Sequence, residues 1–510
     1  MSSSRRSSLN SLSSSDHGSP SSPLLRDTLS NATLIFVQND DDDEPSTAPL
    51  DFSSDDDLAD DFGSHLDRIR TSSVPPLSPS LILLYLLTPF LKLGSMFIPY
   101  TGTPLNRSIP VLLAFALFAA CSRHLCYMLA KYVHNPDLEE IVLDAFARGR
   151  GKERRRVFLR SLVRIGTGLL RVLLATVYLR ASVDALLPLS PTKMPLSSRI
   201  VFSILLSLVI LPLCLAPSLA AKRVAYATWV SVAAYIVWLG SISFAHAQGT
   251  LDVSSGRLRT GILWQGTTTI AFSFVTTWTL PLYASLQGSA HPLSTTKKKR
   301  HSFKLLSIVS IGLAVALTLP LCFFAAAPIP PSQIQDIFAR APNPLMAVSN
   351  TVVLVLAIPP LVVTTPPLPI TLSLRRATNL PIPKLIIYLL IPVLSLLPAH
   401  PSAILSDIIL VLALASTYIL PAVLHVTMHH FKRPLSIVIP SAVHTPSAVN
   451  FDRASLDRAD ADELLQRKER TLQRKRLGRR LVWDIAAWAL LLPVGGGGTL
   501  WAIGRINGTW

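Results

Sequence analysis

The chain has 510 residues, of which 50% are hydrophobic and 15% are charged, and this composition is typical of a membrane protein with several spans rather than a soluble domain. Its net charge of +17 lies in basic clusters between apolar segments, so membrane topology explains the charge better than nucleic-acid binding does. The four cysteines fall inside apolar segments and none forms a CxxC pair, so we expect no disulfide framework, no metal site and no cofactor.

A tail rich in Ser, Asp and Pro occupies residues 1–78. Its acidic runs and its shortage of large apolar side chains predict a disordered cytosolic segment. We expect transmembrane helices 1 to 10 in residues 79–430 and a basic cytosolic loop or helix in residues 431–480. Residues 481–510 then supply an eleventh transmembrane helix and a short outer end.

The first apolar segment, residues 80–102, is long enough to cross a membrane but is interrupted in its middle. Pro89, Gly94 and Pro99 disfavour a continuous helix, because proline removes a backbone donor and glycine costs about 1 kcal/mol relative to alanine. Lys92 falls near the bilayer centre, where a lysine costs at least about 2.5 kcal/mol. A broken helix with a charge at membrane depth is typical of a transporter substrate site. The alternative is a proline-kinked span whose lysine snorkels or pairs structurally.

Ten further apolar segments follow, at lengths that suit a hydrocarbon layer of about 30 Å. They lie near residues 109–133, 159–188, 198–217, 223–246, 262–286, 304–327, 345–370, 384–398, 402–427 and 481–503. The predicted fold class is therefore an all-α polytopic membrane protein with about 11 transmembrane helices. Strongly basic loops alternate with loops that carry few cations, and the positive-inside rule then places the N-terminus in the cytosol and the C-terminus outside.

The third segment carries charges at helical spacing. Arg171 lies deep in this segment, and we interpret it as a structural contact within the bundle in preference to a direct role in coupling. Asp184 lies four residues after Arg180, so the two side chains can pair along the helix. Asp184 and Asp407, which lies in the tenth segment, are also the candidate counter-charges for Lys92.

Three of the segments carry recognisable motifs. The first contains LKLGSMFIPY, which keeps Gly94 and Pro99 of a pattern of the form G-x-G-x-L-x-x-P. Lys92 replaces the first glycine of that pattern, and Thr88 replaces an asparagine upstream. The sixth segment, TTTIAFSFVTTWTLPLYASLQ, is similar to a region of the form F-x-F followed by P-I-Y, and the tenth segment contains ILPA. In these motifs and in the order of its spans, the chain resembles the amino acid/auxin permease family, which includes vacuolar and neutral amino acid transporters.

The resemblance implies an inverted-repeat transporter fold whose first and sixth helices are broken, with the substrate held at the two breaks. Half-helix N-termini and Lys92 would favour the substrate carboxylate, and exposed carbonyls its ammonium. The substrate-binding residues implied in this way are Thr88, Lys92, Gly94, Ser95, Met96, Phe272, Ser273, Thr276 and Thr277. A lysine at this place repels sodium strongly in a medium of low dielectric constant, so we expect coupling to protons or exchange.

The leading hypothesis is a secondary active transporter that moves small amino acids across a membrane by alternating access. The alternative is a non-transporting membrane amino acid sensor or scaffold on the same fold, which would signal through the N-terminal tail. No set of residues suited to acid–base or nucleophilic chemistry falls at a shared depth, so we do not expect an enzyme. The acidic serine-rich tail and the lack of a signal sequence are consistent with a vacuolar or other endomembrane location, or with the plasma membrane.

Overall fold

A computed structural model describes ten stretches of the chain. They are residues 75–133, 135–147, 152–189, 196–249, 260–276, 279–288, 302–325, 344–366, 382–431 and 481–506. All of them belong to one compact unit, Leu58–Trp510. The predicted tail up to residue 74 and the predicted basic loop from residue 432 to residue 480 lie outside the described residues.

The described residues form helices joined by turns, with no β-strand among them. The α-helices are α1 (Pro79–Leu87), α2 (Leu93–Phe97), α3 (Leu105–Val133), α4 (Leu138–Phe146), α5 (Glu153–Leu186), α6 (Leu196–Cys214), α7 (Lys222–Ala247), α8 (Thr260–Ser273), α9 (Thr279–Gly288), α10 (Phe303–Ala325), α11 (Pro344–Val355), α12 (Ile358–Thr364), α13 (Ile382–Ser395), α14 (Ala399–Leu414), α15 (Leu420–Val426), α16 (481–490) and α17 (Gly497–Ile506). Short 3₁₀ turns occupy Thr88–Leu91, Ile98–Tyr100 and Leu187–Leu189, and π-helical turns occupy Ala415–Ile419, Thr427–Phe431 and Leu491–Gly496.

Seven helical stretches of the described chain are long and apolar enough to cross a membrane. They are Pro79–Tyr100, Leu105–Val133, Glu153–Leu189, Lys222–Ala247, Phe303–Ala325, Pro344–Thr364 and Ile404–His429. Shorter apolar helices occupy Ser198–Cys214, Ile382–Ser395 and Leu481–Gly496. The described part of the chain is therefore all-helical, and the protein is a polytopic membrane protein.

The distribution of side chains agrees with this conclusion. Large apolar side chains lie on outward faces, and Leu208 and Ile308 are 69% and 66% exposed. Three basic side chains, Lys92, Arg123 and Arg171, are instead buried in the bundle. This arrangement suits a bundle surrounded by hydrocarbon, because apolar side chains contact the lipid and charged side chains lie in the interior of the bundle.

Helix α5 runs through the bundle and positions its other members. It packs against α6, α11, α12, α13 and α14. All its buried side chains lie between Leu170 and Val183. Helices α9 and α10 both pack against α1 and α3. Most of the first segment is thus buried in the bundle, although Phe97 near its end is half exposed.

The interruption of the first segment lies at Lys92. Proline at the first position of α1 suits the start of a helix, and Pro89 ends α1 by opening a 3₁₀ turn. Lys92 has φ −118° and ψ −153°, which is extended backbone, and α2 begins at the next residue. Gly102, with φ 62°, then makes the turn towards α3, a conformation that favours glycine.

Other departures from regular helix were not predicted from the sequence, and two of them lie in the eighth and tenth segments. Leu356 and Ala357 separate α11 from α12 just before two consecutive prolines, at 359 and 360. The π-helical turn Ala415–Ile419 interrupts the stretch that was predicted as one regular tenth helix. Such turns are frequent at functional sites.

Candidate functional site

Two interrupted helices meet in the middle of the bundle. We call residues 88–92 the α1–α2 break and the described residues 274–276 the α8–α9 break. Helix α2 packs directly on α8, and a Cβ atom at Gly94 would lie only 2.6 Å from both Cα and N of Ser273. Real Cβ contacts are not that short, so glycine at residue 94 is what allows the two backbones to approach.

A small cavity lies between the two breaks. It is lined by Pro89, Lys92, Gly94, Leu174, Tyr178, Phe272, Val275 and Leu361. The centre of a water molecule could occupy a volume of about 20 Å³ within it. The cavity therefore has room for about one water. The arrangement is therefore closed around a space that is much smaller than the 300–1,000 Å³ typical of small-molecule sites.

Lys92 is the charged side chain among the residues that line this cavity. It is 4% exposed, and its Nζ lies 5.7 Å from the centre of the Tyr178 ring, a cation–π distance. The carbonyl of Lys92 accepts hydrogen bonds from Ser95 Oγ at 2.7 Å and from the backbone N–H of Met96 at 3.1 Å. Lys92 thus gives the cavity a basic group, while its own carbonyl helps to start α2.

Arg123, on α3, supports the α1–α2 break. Its side chain is 1% exposed. Nη2 donates to the carbonyl of Leu86 at 2.7 Å, near the end of α1, and Nη1 donates to Ser310 Oγ at 2.8 Å. The guanidinium also lies 4.4 Å from the centre of the Phe90 ring. A cation at a helix C-terminus interacts favourably with the helix dipole, so Arg123 stabilises the place where α1 ends.

The α8–α9 break is supported from the π-helical turn Ala415–Ile419. Thr417 Oγ1 accepts a hydrogen bond from the N–H of Thr276 and donates one to the carbonyl of the same residue, both at 3.1 Å. Ser122, next to Arg123, donates to the carbonyl of Thr417. The hydroxyl of Tyr418 donates to the carbonyl of Ala271 at 3.4 Å. Backbone groups that the break frees from α8 therefore find partners, as a site away from water requires.

The structure brings most of the predicted substrate residues to the two breaks, but only some of them to the cavity. Lys92, Gly94 and Phe272 line it. Buried residues that lie nearby without lining it are Thr88, Ser95, Met96, Ser273 and Thr276. The hydroxyls of Thr88, Ser95 and Ser273 donate to carbonyls three residues earlier. Thr277 lies outside the described residues.

The other charged candidates are not among the residues that line the cavity. Arg171 is buried and donates to the carbonyl of Thr364, at the end of α12. Asp184 has a side chain that is 48% exposed, and it pairs with Arg199 at 2.6 Å. Asp407 lies within α14, and neither aspartate is among the residues that line the cavity. The proposed counter-charge role for the two aspartates therefore gains no geometric support.

Several residues of the site were not selected from the sequence. Tyr178 lies seven residues after Arg171, on the same helical face, so helical periodicity could have indicated it. Arg123 is a charge within an apolar segment, and the cost of such a charge could have drawn attention to it. Thr417 and Leu361 reach the site only through packing between helices distant in sequence, and no local pattern indicates them.

No family model and no curated protein matches the chain.

Proposed function

We propose that the protein is a secondary active transporter of small amino acids that works by alternating access. The observation that carries this proposal is the enclosed cavity between two broken helices, with Lys92 inside it. A buried ionisable group within a membrane span is costly and therefore marks function by default. Broken helices at the middle of a membrane are where transporters bind polar solutes, because the freed backbone supplies donors and acceptors.

The lining residues suit a small zwitterion. The ammonium group of Lys92 would bind the substrate carboxylate, and the absence of a side chain at Gly94 would let the substrate approach the backbone. Phe272 and Tyr178 would form the walls around a small side chain. Carbonyl groups freed at the α1–α2 break would accept hydrogen bonds from the substrate ammonium.

The size of the cavity implies movement. A space with room for about one water cannot hold an amino acid, so binding would require the α1–α2 and α8–α9 breaks to separate. The contact between Gly94 and Ser273 would then open, which is a change of the kind that alternating access needs.

The proposal includes the number of membrane segments and their arrangement as an inverted repeat. If the three shorter apolar helices and the pair formed by α8 and α9 also cross the membrane, they and the seven long helices would make eleven membrane segments in the described part of the chain. The two segments whose breaks meet at the cavity would then be the first and the sixth. These are equivalent positions in an inverted repeat of five helices, which supports that architecture. By the positive-inside rule, the basic loops would put the N-terminus in the cytosol.

The charge of Lys92 bears on which ion or solute would drive transport. A fixed cation beside the substrate repels sodium, so protons or exchange of one amino acid for another would drive transport. The acidic, serine-rich composition of residues 1–78 would suit a vacuolar, other endomembrane or plasma membrane location.

The test is uptake of a mixed pool of labelled amino acids into proteoliposomes, first with an imposed proton gradient and then with a sodium gradient. We expect accumulation or exchange that does not depend on sodium, and we expect Lys92→Met to abolish it. Lys384→Met is the matched control, because Lys384 donates to the carbonyl of Ala216 and lies away from the cavity.

The same preparation distinguishes a carrier from a sensor. Amino acids that raise the melting temperature of the folded protein without any uptake or exchange would overturn the transport proposal and favour the sensor. If Lys92→Met and Lys384→Met behaved alike, the role assigned to Lys92 would be wrong.

A further inference from the structure

A second and much larger cavity lies between the start of α3 and α8, beside the turn that follows the first segment. The centre of a water molecule could occupy a volume of about 480 Å³ within it. This volume lies within the range that is typical of small-molecule binding sites. Pro110 and Val111 of α3 form one wall, and Trp264 and Ile270 of α8 form the other. The cavity therefore has space and apolar surface for a ligand.

The rim of this cavity is polar and carries a positive charge. Asn106 and Arg107 both line it and are exposed, in the first turn of α3. Leu113 and Leu117 are 52% and 61% exposed, and they lie three and seven residues after Pro110, on the same side of α3. An apolar strip thus runs from the cationic rim along a helix that faces hydrocarbon, which matches a molecule with an anionic head and a long apolar chain.

The cavity adjoins the contact between the first segment and α8. Thr103 lines the cavity, and a Cβ atom at Gly266 would lie 1.9 Å from its methyl group. The hydroxyl of Thr103 is 3.0 Å from that of Thr101, which donates to the carbonyl of Ile98 at 2.8 Å. A ligand in the cavity would therefore rest against the same part of α8 that Thr103 touches.

We propose that this cavity binds an anionic phospholipid of the surrounding leaflet, with one acyl chain between Val111 and Ile270 and the phosphate at Arg107. The lipid would hold the outer part of α8 against α3. This site is separate from the cavity at Lys92, and its occupancy does not depend on whether the protein transports amino acids.

The test uses the full-length protein, incubated with vesicles of phosphatidylcholine that contain phosphatidylglycerol and then analysed by native mass spectrometry. We expect one retained phospholipid, with phosphatidylglycerol preferred over phosphatidylcholine. Arg107→Gln should reduce that preference about fivefold, since one arginine near an anionic lipid contributes about 1 kcal/mol. Arg199→Gln is the matched control, because Arg199 pairs with Asp184 outside the cavity, and it should retain the preference.

Filling the cavity gives the second measurement. Val111→Trp and Thr267→Phe fill it from opposite walls and should both lose the retained lipid, whereas Leu208→Trp, on an exposed face of α6, should keep it. Two filling variants keep the test decisive if one of them fails to fold. Equal retention by the folded filling variants and the unaltered protein would overturn the proposal, as would equal retention of the two phospholipids. Retention of added oleate in place of phospholipid would overturn the phospholipid as the occupant.

Discussion

The two breaks that enclose the cavity are stabilised by different chemistry. At the α1–α2 break, the carbonyl of Leu86, near the end of α1, accepts a hydrogen bond from the guanidinium of Arg123. At the α8–α9 break, both backbone groups of Thr276 pair with the neutral hydroxyl of Thr417. Hydrogen bonds from a charged donor are roughly twice as strong as those between neutral groups, so we expect the α1–α2 break to be the more tightly held of the two.

The chemical difference between the two breaks suggests that each has a different role in the site. Both buried cations near the cavity, Lys92 and Arg123, belong to the α1–α2 side, where one lines the cavity and the other holds the end of α1. The α8–α9 side contributes Phe272 and Val275 as walls. In the proposed transporter, the α1–α2 break would therefore recognise charge, and the α8–α9 break would determine the shape of the space and move against it.

The sharpest test of this comparison is Arg123→Met. It removes a charged donor from Leu86 and Ser310 in a buried place, and we expect the protein to lose about 3 kcal/mol of stability, since hydrogen bonds to charged groups contribute about 1.5 to 3 kcal/mol each. Thermal unfolding in detergent measures the loss. Arg154→Met, at an exposed position of α5, is the control. If the two variants melted together, the charged anchor at the α1–α2 break would have no energetic role.

Gly94→Ala tests the contact that the two breaks share. The added methyl group would meet the backbone of Ser273 at 2.6 Å, and overpacking of this kind costs about 1 to 3 kcal/mol. We also expect uptake to fall, because the cavity lies between the same two backbones. The measurements are thermal unfolding and proteoliposome uptake.

Gly312→Ala is the matched control for that variant. Gly312 lies within α10, and a Cβ atom there would meet nothing within 4 Å. Replacing a helical glycine with alanine should then raise stability by up to about 1 kcal/mol. A Gly94→Ala protein that was as stable and active as Gly312→Ala would show that the close approach of the two breaks is unimportant.

Thr417→Val tests the neutral hydrogen bonds that support the α8–α9 break. It keeps the shape of the side chain but leaves the N–H and carbonyl of Thr276 without the partner hydroxyl, and a buried unsatisfied group costs about 1 to 3 kcal/mol. With both groups near the lower end of that range, we expect a total loss of about 2 kcal/mol, smaller than for Arg123→Met. Thr318→Val is the control, since the hydroxyl of Thr318 donates to Ala314 one turn earlier in the same helix. A larger loss for Thr417→Val than for Arg123→Met would reverse the comparison.

The α1–α2 break and the membrane architecture could be predicted from the sequence, because both depend on local residue patterns. Pro89, Lys92 and Gly94 lie close together, and each has a local conformational or energetic cost in a membrane helix, so the α1–α2 break could be inferred from neighbouring residues. The all-helical membrane architecture followed from the length and composition of the apolar segments. These signals require no knowledge of distant contacts.

The partners of the breaks could not be inferred in that way. Thr417 meets Thr276 across 141 residues of sequence, and Arg123 reaches Ser310 across 187. A single threonine in an apolar helix is most often a local hydrogen-bond donor, as Thr318 is. The π-helical turn that places Thr417 likewise has no distinctive residue pattern, so only the packing of α3 and the tenth-segment helices reveals its role.

The smallest effect is expected outside the two breaks, at Asp184. Its side chain is about half exposed and pairs with Arg199 at 2.6 Å, and exposed ion pairs of this kind contribute at most about 1 kcal/mol. Asp184→Asn should therefore leave thermal unfolding, and the pH dependence of uptake, nearly unchanged. Lys92→Met provides the reference, because it removes the charge that lines the cavity. Lys92→Met is expected to abolish uptake. If Asp184→Asn also lost uptake, or shifted its pH dependence, charge recognition would extend beyond the α1–α2 break, and Asp184 would regain its predicted role as a counter-charge for Lys92.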